Sequence, residues 1–144
     1  MPIPDFVDGV NLPSGVHFCT WEELAVRFCN GHRREALSKQ MQALFARAKA
    51  CSFVQVIVGG SFATAKPDPG DFEIAWIVNQ GVDKAAMRPE CLELVESEKS
   101  RERFGCDVLY LAIAGDAEKI EEYGTLLGYD YMSRTPRGTL LLDL

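Results

Sequence analysis

Two apolar runs of different character sit close together in this chain, and they restrict its fold more than any other feature. Phe53 to Val58 is a β-branched run that stops at Gly59-Gly60, the pattern of a buried strand. Asp71 to Val78 alternates instead: Phe72, Ile74, Trp76 and Val78 share one face, and Asp71, Glu73, Ala75 and Ile77 share the other. The polar connection between them, from Ser61 to Gly70, therefore joins two strands of a sheet.

Helical signals surround this pair. Thr20-Trp21-Glu22-Glu23 has the form of a capping box, with Cys19 and Leu24 as a staple around it, and opens a short helix that ends near Asn30-Gly31. From Arg33 to Ala50 the residues Leu37, Met41, Leu44, Phe45 and Ala48 recur at the helical period. Arg33, Arg34, Lys39, Arg47 and Lys49 read as its solvated surface, and His32 as part of its polar start. Asp83 to Ser100 is expected to be helical, with Pro89 marking an alternative start. Cys106 to Ile113 reads as a strand, Asp116 to Leu127 as a helix stopped by Gly128, and Thr139 to Leu142 as a short closing strand. The first 19 residues show no sustained period and are expected to form an extended arm. The chain thus reads as one domain over residues 1–144, with an arm and short helix (1–31) packed on the core.

Composition narrows the function. A net charge of −6 argues against general binding to a phosphate backbone, so no strong nucleic-acid signal is present. No apolar run is long enough for a membrane span and the first residues lack the features of a signal peptide, so a cytoplasmic protein without membrane contact is expected. Five cysteines at irregular spacing, with no C-x2-C pair, read as mostly buried small apolar residues in a reducing compartment. Two histidines are too few for a His-rich metal site.

The chemistry is expected between Gly59 and Glu73. Asp71 and Glu73, two apart on a strand, project from the same face. Carboxylates about 5 Å apart repel by roughly 3 kcal/mol at an effective dielectric of 20, a conflict that a divalent cation removes. Oxygen ligands favour Mg²⁺ or Mn²⁺ over zinc. Asp107, opening the Cys106 strand, could supply a third ligand, and three carboxylates can hold two ions. Gly60 would let a phosphate approach the backbone, and Ser61 would offer it a hydroxyl and an amide.

An apolar strand ending in Gly60-Ser61, nine intervening residues, Asp71-x-Glu73 on a strand and a later acidic strand at Asp107 resemble the polymerase-beta-like nucleotidyltransferase superfamily. The resemblance implies an α+β fold, a mixed β-sheet flanked by helices with a nucleotidyltransferase-like core. It also implies two Mg²⁺ ions on Asp71, Glu73 and Asp107, and a nucleoside triphosphate, ATP as the expected one, held by Gly60, Ser61 and Lys66. The reaction it implies moves a nucleoside monophosphate to an acceptor (protein, RNA or small molecule), with Asp107 as candidate base. Leu12-Pro13-Ser14-Gly15-Val16-His17, Thr20 to Glu23 and Arg137 to Leu144 are similar to a small bacterial family within that superfamily.

Two positions depart from the pattern. Thr64 stands where many minimal members carry arginine, leaving Lys66 as the substitute, and Glu73 replaces the shorter aspartate. Arg134 and Arg137 are further candidates for a triphosphate or anionic acceptor. With 144 residues there is no room for a separate acceptor domain, so a protein partner or a homodimer would complete the site. These departures leave open an alternative on the same fold: a catalytically weak binding module, such as a toxin-antitoxin or phage-defence component.

Gly59-Gly60-Ser61-Phe62-Ala63 is not a nucleophile elbow, since its fifth residue is alanine and no histidine follows. No P-loop motif occurs.

Overall fold

The computed structural model describes residues 3–144. Five strands, β1 (Gly15–Phe18), β2 (Phe53–Gly59), β3 (Phe72–Val78), β4 (Cys106–Ile113) and β5 (Gly138–Asp143), form one sheet in the order β1-β5-β2-β3-β4. β2 is antiparallel to both β3 and β5, whereas β1 runs parallel to β5 and β4 parallel to β3, so the sheet is mixed and the fold is α+β.

The alternation in β3 is realised. Phe72, Ile74, Trp76 and Val78 enter the larger core with Val56, Val58, Leu140 and Leu142. Helices α1 (Trp21–Phe28), α2 (His32–Ala50) and α4 (Ser97–Phe104) cover this face through Leu24, Phe28, Leu37, Met41, Leu44, Ala48 and Phe104. Trp76 donates its indole N–H to the Leu94 carbonyl at 2.6 Å, which satisfies the one polar atom of a large buried side chain. On the opposite face Ile57, Ala75, Ile77 and Ala112 meet Leu127 of α5 (Ala117–Gly128).

The Thr20–Glu23 capping box is formed, with Glu23 N–H donating to the Thr20 hydroxyl at 3.2 Å and Thr20 N–H to the Glu23 carboxylate at 3.0 Å. Asp116 caps α5 in the expected place. No helix among the described residues is long and apolar enough to cross a membrane.

Three expectations change. The arm is not featureless: Gly15 to Phe18 pairs with Gly138 to Leu141 and adds a fifth strand, a long-range pairing that leaves no local periodicity. Met1 and Pro2, also assigned to the arm, lie outside the described residues. The helix expected over 83–100 is broken into a single turn at Lys84–Ala86, α3 (Pro89–Leu92) and α4, which runs on to Phe104 and ends in left-handed Gly105. Gly128 ends α5 as expected, as the helix's last residue, and a Cβ there would strike the Arg137 carbonyl, so glycine is also needed for close packing on the sheet. Finally, Cys51 at the end of α2 and Cys91 in α3 are joined in a disulfide, while Cys19 and Cys106 are buried thiols as expected.

Candidate functional site

The sheet places its chemistry at one end, where β2 stops and β3 and β4 begin. A cleft of about 690 Å³ opens there, within the range of small-molecule sites. Of the six residues expected from sequence to carry function, Gly60, Ser61, Lys66, Asp71 and Glu73 line it; Asp107 does not.

The wall nearest β2 is a loop held in shape by its backbone. Gly60 has φ +76° and opens a single 3₁₀ turn to Ala63. A Cβ on Gly60 would come within 3.2 Å of the Glu73 carboxyl, so the positive φ favours glycine and the carboxylate packed on it would have to shift for any larger residue. Thr64, where an arginine was the alternative, is buried and structural. Its hydroxyl donates to the Ser61 carbonyl at 2.6 Å and accepts from Lys66 N–H at 3.1 Å. The N-terminal arm pairs with this loop: Asn11 bridges Thr64, and Ala65 N–H donates to the Val10 carbonyl at 2.8 Å. Val10 and Asn11 thereby become cleft residues.

Arg34, expected as solvated surface, is only 6% exposed. Its guanidinium donates to the carbonyls of Phe28 and Phe62 (3.2 and 2.8 Å), Thr64 (2.7 Å) and Lys66 (2.6 Å). Burial lowers its pKa, yet the guanidinium stays charged, and carbonyl dipoles supply its solvation. Arg33 continues the clamp, donating to the carbonyls of Pro69 (3.1 Å) and Gly70. The loop from Phe62 to Gly70 is thus tied to the first turn of α2 by two adjacent arginines. A signal for Arg34 was present: it stands three residues before Leu37 and seven before Met41, in phase with the buried stripe.

The three acids converge unequally. Glu73 and Asp107 are directly paired across β3 and β4, and Asp71 immediately precedes β3. Burial, then the charge of Asp107, holds the Asp71 carboxyl above its ordinary value, against the opposing pull of Arg101, Arg33 and Lys66. Burial, then Asp71 and Asp107, does the same to Glu73, with Arg137 opposing. Asp107 is engaged elsewhere: Arg101 of α4 reaches its Oδ1 with Nε at 2.6 Å and Nη2 at 2.5 Å. Accordingly, among the described residues no three His, Cys, Asp or Glu side chains are gathered so as to hold a metal ion as they stand. The donor set itself fits a hard divalent cation. Asp71, Glu73 and Asp107 are all carboxylates, and burial first, then neighbouring carboxylate charge, holds Asp71 and Glu73 above their ordinary values.

Cations complete the cleft. Lys66 lines it and makes no ion pair among the described residues. Arg137 lines it as well, its Nε donating to the Gly128 carbonyl at 2.9 Å, whereas Arg134 lies outside the lining. Asp130 and Met132 form the outer rim on a loop closed by paired backbone bonds between Asp130 and Thr135. Nothing in the sequence marks Val10 and Asn11, because they reach the cleft only through long-range pairing with Thr64 and Ala65.

A family model described as Family of unknown function (DUF6932) matches residues 4–143, which include every residue lining the cleft. The chain belongs to that family. No curated protein and no solved structure matches it. The DUF6932 description assigns no activity, so the chemistry must be argued from the cleft.

Proposed function

We propose that this DUF6932 domain is a cytoplasmic, Mg²⁺-dependent nucleotidyltransferase of the polymerase-beta-like kind, moving a nucleoside monophosphate from a nucleoside triphosphate to an acceptor hydroxyl. The observation that carries this reading is the packing of Gly60 against Glu73, which sets a positive-φ glycine turn and a crowded pair of carboxylates on one wall of one cleft.

Each side chain then has a task. Gly60 and Ser61 offer backbone and hydroxyl to phosphate oxygens, and Lys66 and Arg137 face the same space with positive charge. Asp71, Glu73 and Asp107 would hold the ions. Two Mg²⁺, when bound, neutralise charge on the transferring phosphoryl group and on the departing pyrophosphate. The acceptor oxygen forms the new bond to the α-phosphorus while the bond to pyrophosphate breaks, and Asp107 is the group to receive the acceptor proton. A protein partner or a second copy of the chain would supply the acceptor surface that the cleft lacks.

The Arg101–Asp107 pair favours a second reading, in which the same fold binds a partner and catalyses weakly, as in a toxin-antitoxin or phage-defence component. Incubation with labelled ATP, GTP, CTP or UTP, Mg²⁺ and host lysate separates the two. Label transfer that disappears in Asp71→Ala supports the enzyme. Activity of the chain in cells that survives Asp71→Ala, with no labelling from any nucleotide, supports the binding module and removes the enzymatic reading.

A further inference from the structure

Arg101 is the one cation of α4 that turns to the start of β4. Its helix neighbours are committed elsewhere, Lys99 to Glu96 and Arg103 to Glu93. Both Arg101 nitrogens meet a single oxygen of Asp107, the acid that the strand register sets beside Glu73 but that takes no part in the cleft lining. We propose that Arg101 is an internal counter-cation that keeps Asp107 engaged until a divalent cation takes its place. This rests on the reading of Asp71, Glu73 and Asp107 as a cation site.

The geometry suits a pair that opens. The Arg101 side chain is 69% exposed while Asp107 is 17% exposed, so the arginine already stands largely in water and little burial opposes its swinging away. The helix need not move with it. Ser100 is anchored by its hydroxyl on the Glu93 carbonyl at 2.5 Å, and Phe104 is buried in the core. An exposed arginine pair resists opening only weakly, by a factor of about two to five in equilibrium. A doubly charged ion on Asp71 and Glu73 would attract the neighbouring Asp107 with twice the charge of one guanidinium. The pair also explains why an acidic strand pairing is tolerated without metal: it supplies one positive charge beside Glu73 and Asp107.

The test is an electron paramagnetic resonance titration of the full chain with Mn²⁺, comparing wild type with Arg101→Gln and Arg103→Gln. Each variant removes one positive charge from α4, but only the first removes the contact with Asp107. Arg101→Gln is expected to bind Mn²⁺ about two- to fivefold more tightly than wild type, with Arg103→Gln unchanged. Equal affinity in all three, weaker binding by Arg101→Gln, or an equal gain in Arg103→Gln overturns the counter-cation role and leaves the metal reading standing. No Mn²⁺ binding by any of the three at millimolar concentration overturns both. In the wild-type chain, the Arg101 Nε–H proton and nitrogen resonances should lose their carboxylate-bonded shift as Mg²⁺ is added. A resonance unmoved while Mg²⁺ displaces bound Mn²⁺ also overturns the proposal.

Discussion

Arg34 Nη2 donates to the Thr64 carbonyl at 2.7 Å, joining positions thirty residues apart inside the core. A buried guanidinium that makes no direct ion pair among the described residues is costly unless carbonyl oxygens surround it, and here most of those oxygens belong to the loop that shapes the cleft. The charge is therefore a device for fixing backbone.

Replacing Arg34 with methionine keeps much of the apolar stem but strips the donors. The abandoned carbonyls of Phe62, Thr64 and Lys66 should cost about 2–4 kcal/mol, read as a lower urea midpoint. Hydrogen exchange should accelerate at the amides of Thr64 and Lys66 before the rest of the chain. A loss below about 0.5 kcal/mol would show that water replaces the clamp without penalty.

Gly60→Ala meets two obstacles, the left-handed backbone and the Glu73 carboxyl 3.2 Å from the new methyl. Together they should cost about 1–3 kcal/mol. Because only the second involves Glu73, adding Glu73→Ala should recover part of the loss, giving a non-additive double-mutant cycle. Strict additivity in denaturant titrations would deny the contact.

The acids predict a pH dependence of known sign. Asp71 and Glu73 have native pKa values raised above their ordinary 3.8 and 4.5, so the folded state binds their protons more tightly than the unfolded chain. The stability this contributes is fully present below pH 3.8 and is lost as pH rises through the native values. In metal-free buffer, the Asp71→Asn, Glu73→Gln double variant should melt above wild type at pH 7, with the gap closing near pH 3.5. A double variant that melts below wild type at pH 7 contradicts the crowding of these acids.

The disulfide between Cys51 and Cys91 closes a loop of 40 residues and ties the end of α2 to α3. Loop-closure entropy puts its contribution at about 4 kcal/mol. Reduction should lower the urea midpoint accordingly, and Cys91→Ala should make the protein insensitive to reductant. Burial pushes the Cys19 and Cys106 thiols up to about 12, so native alkylation at pH 8 should spare both.

What could be read from sequence follows the range of the interactions involved. Leu37, Met41, Leu44 and Ala48 announce α2, Thr20 and Glu23 announce its predecessor, and Phe72 to Val78 declares both of its faces, because each pattern is local. The order Gly60-Ser61, Asp71, Glu73 marks one cleft wall for the same reason. β1 escaped notice because four residues carry too little periodicity and their partners lie at 138–141. Arg101 escaped because its meaning comes from Asp107 on the neighbouring strand, and the break between α3 and α4 because Glu93 to Glu96 contains no glycine or proline. Arg34 was misread for a different reason: a charge on an apolar stripe looks like an error in phase until the carbonyls that receive it are known.

The parallel pairing of Gly15 with Gly138 has a consequence for how the molecule is made. During synthesis Gly15 to Phe18 have no partner strand until β5 has left the ribosome, and Arg137, which immediately precedes β5 and lines the cleft, arrives at the same late stage. A nascent or C-terminally truncated chain would carry the acidic residues and the glycine turn yet lack this cation. Completion of the cleft lining is in this way tied to completion of the sheet.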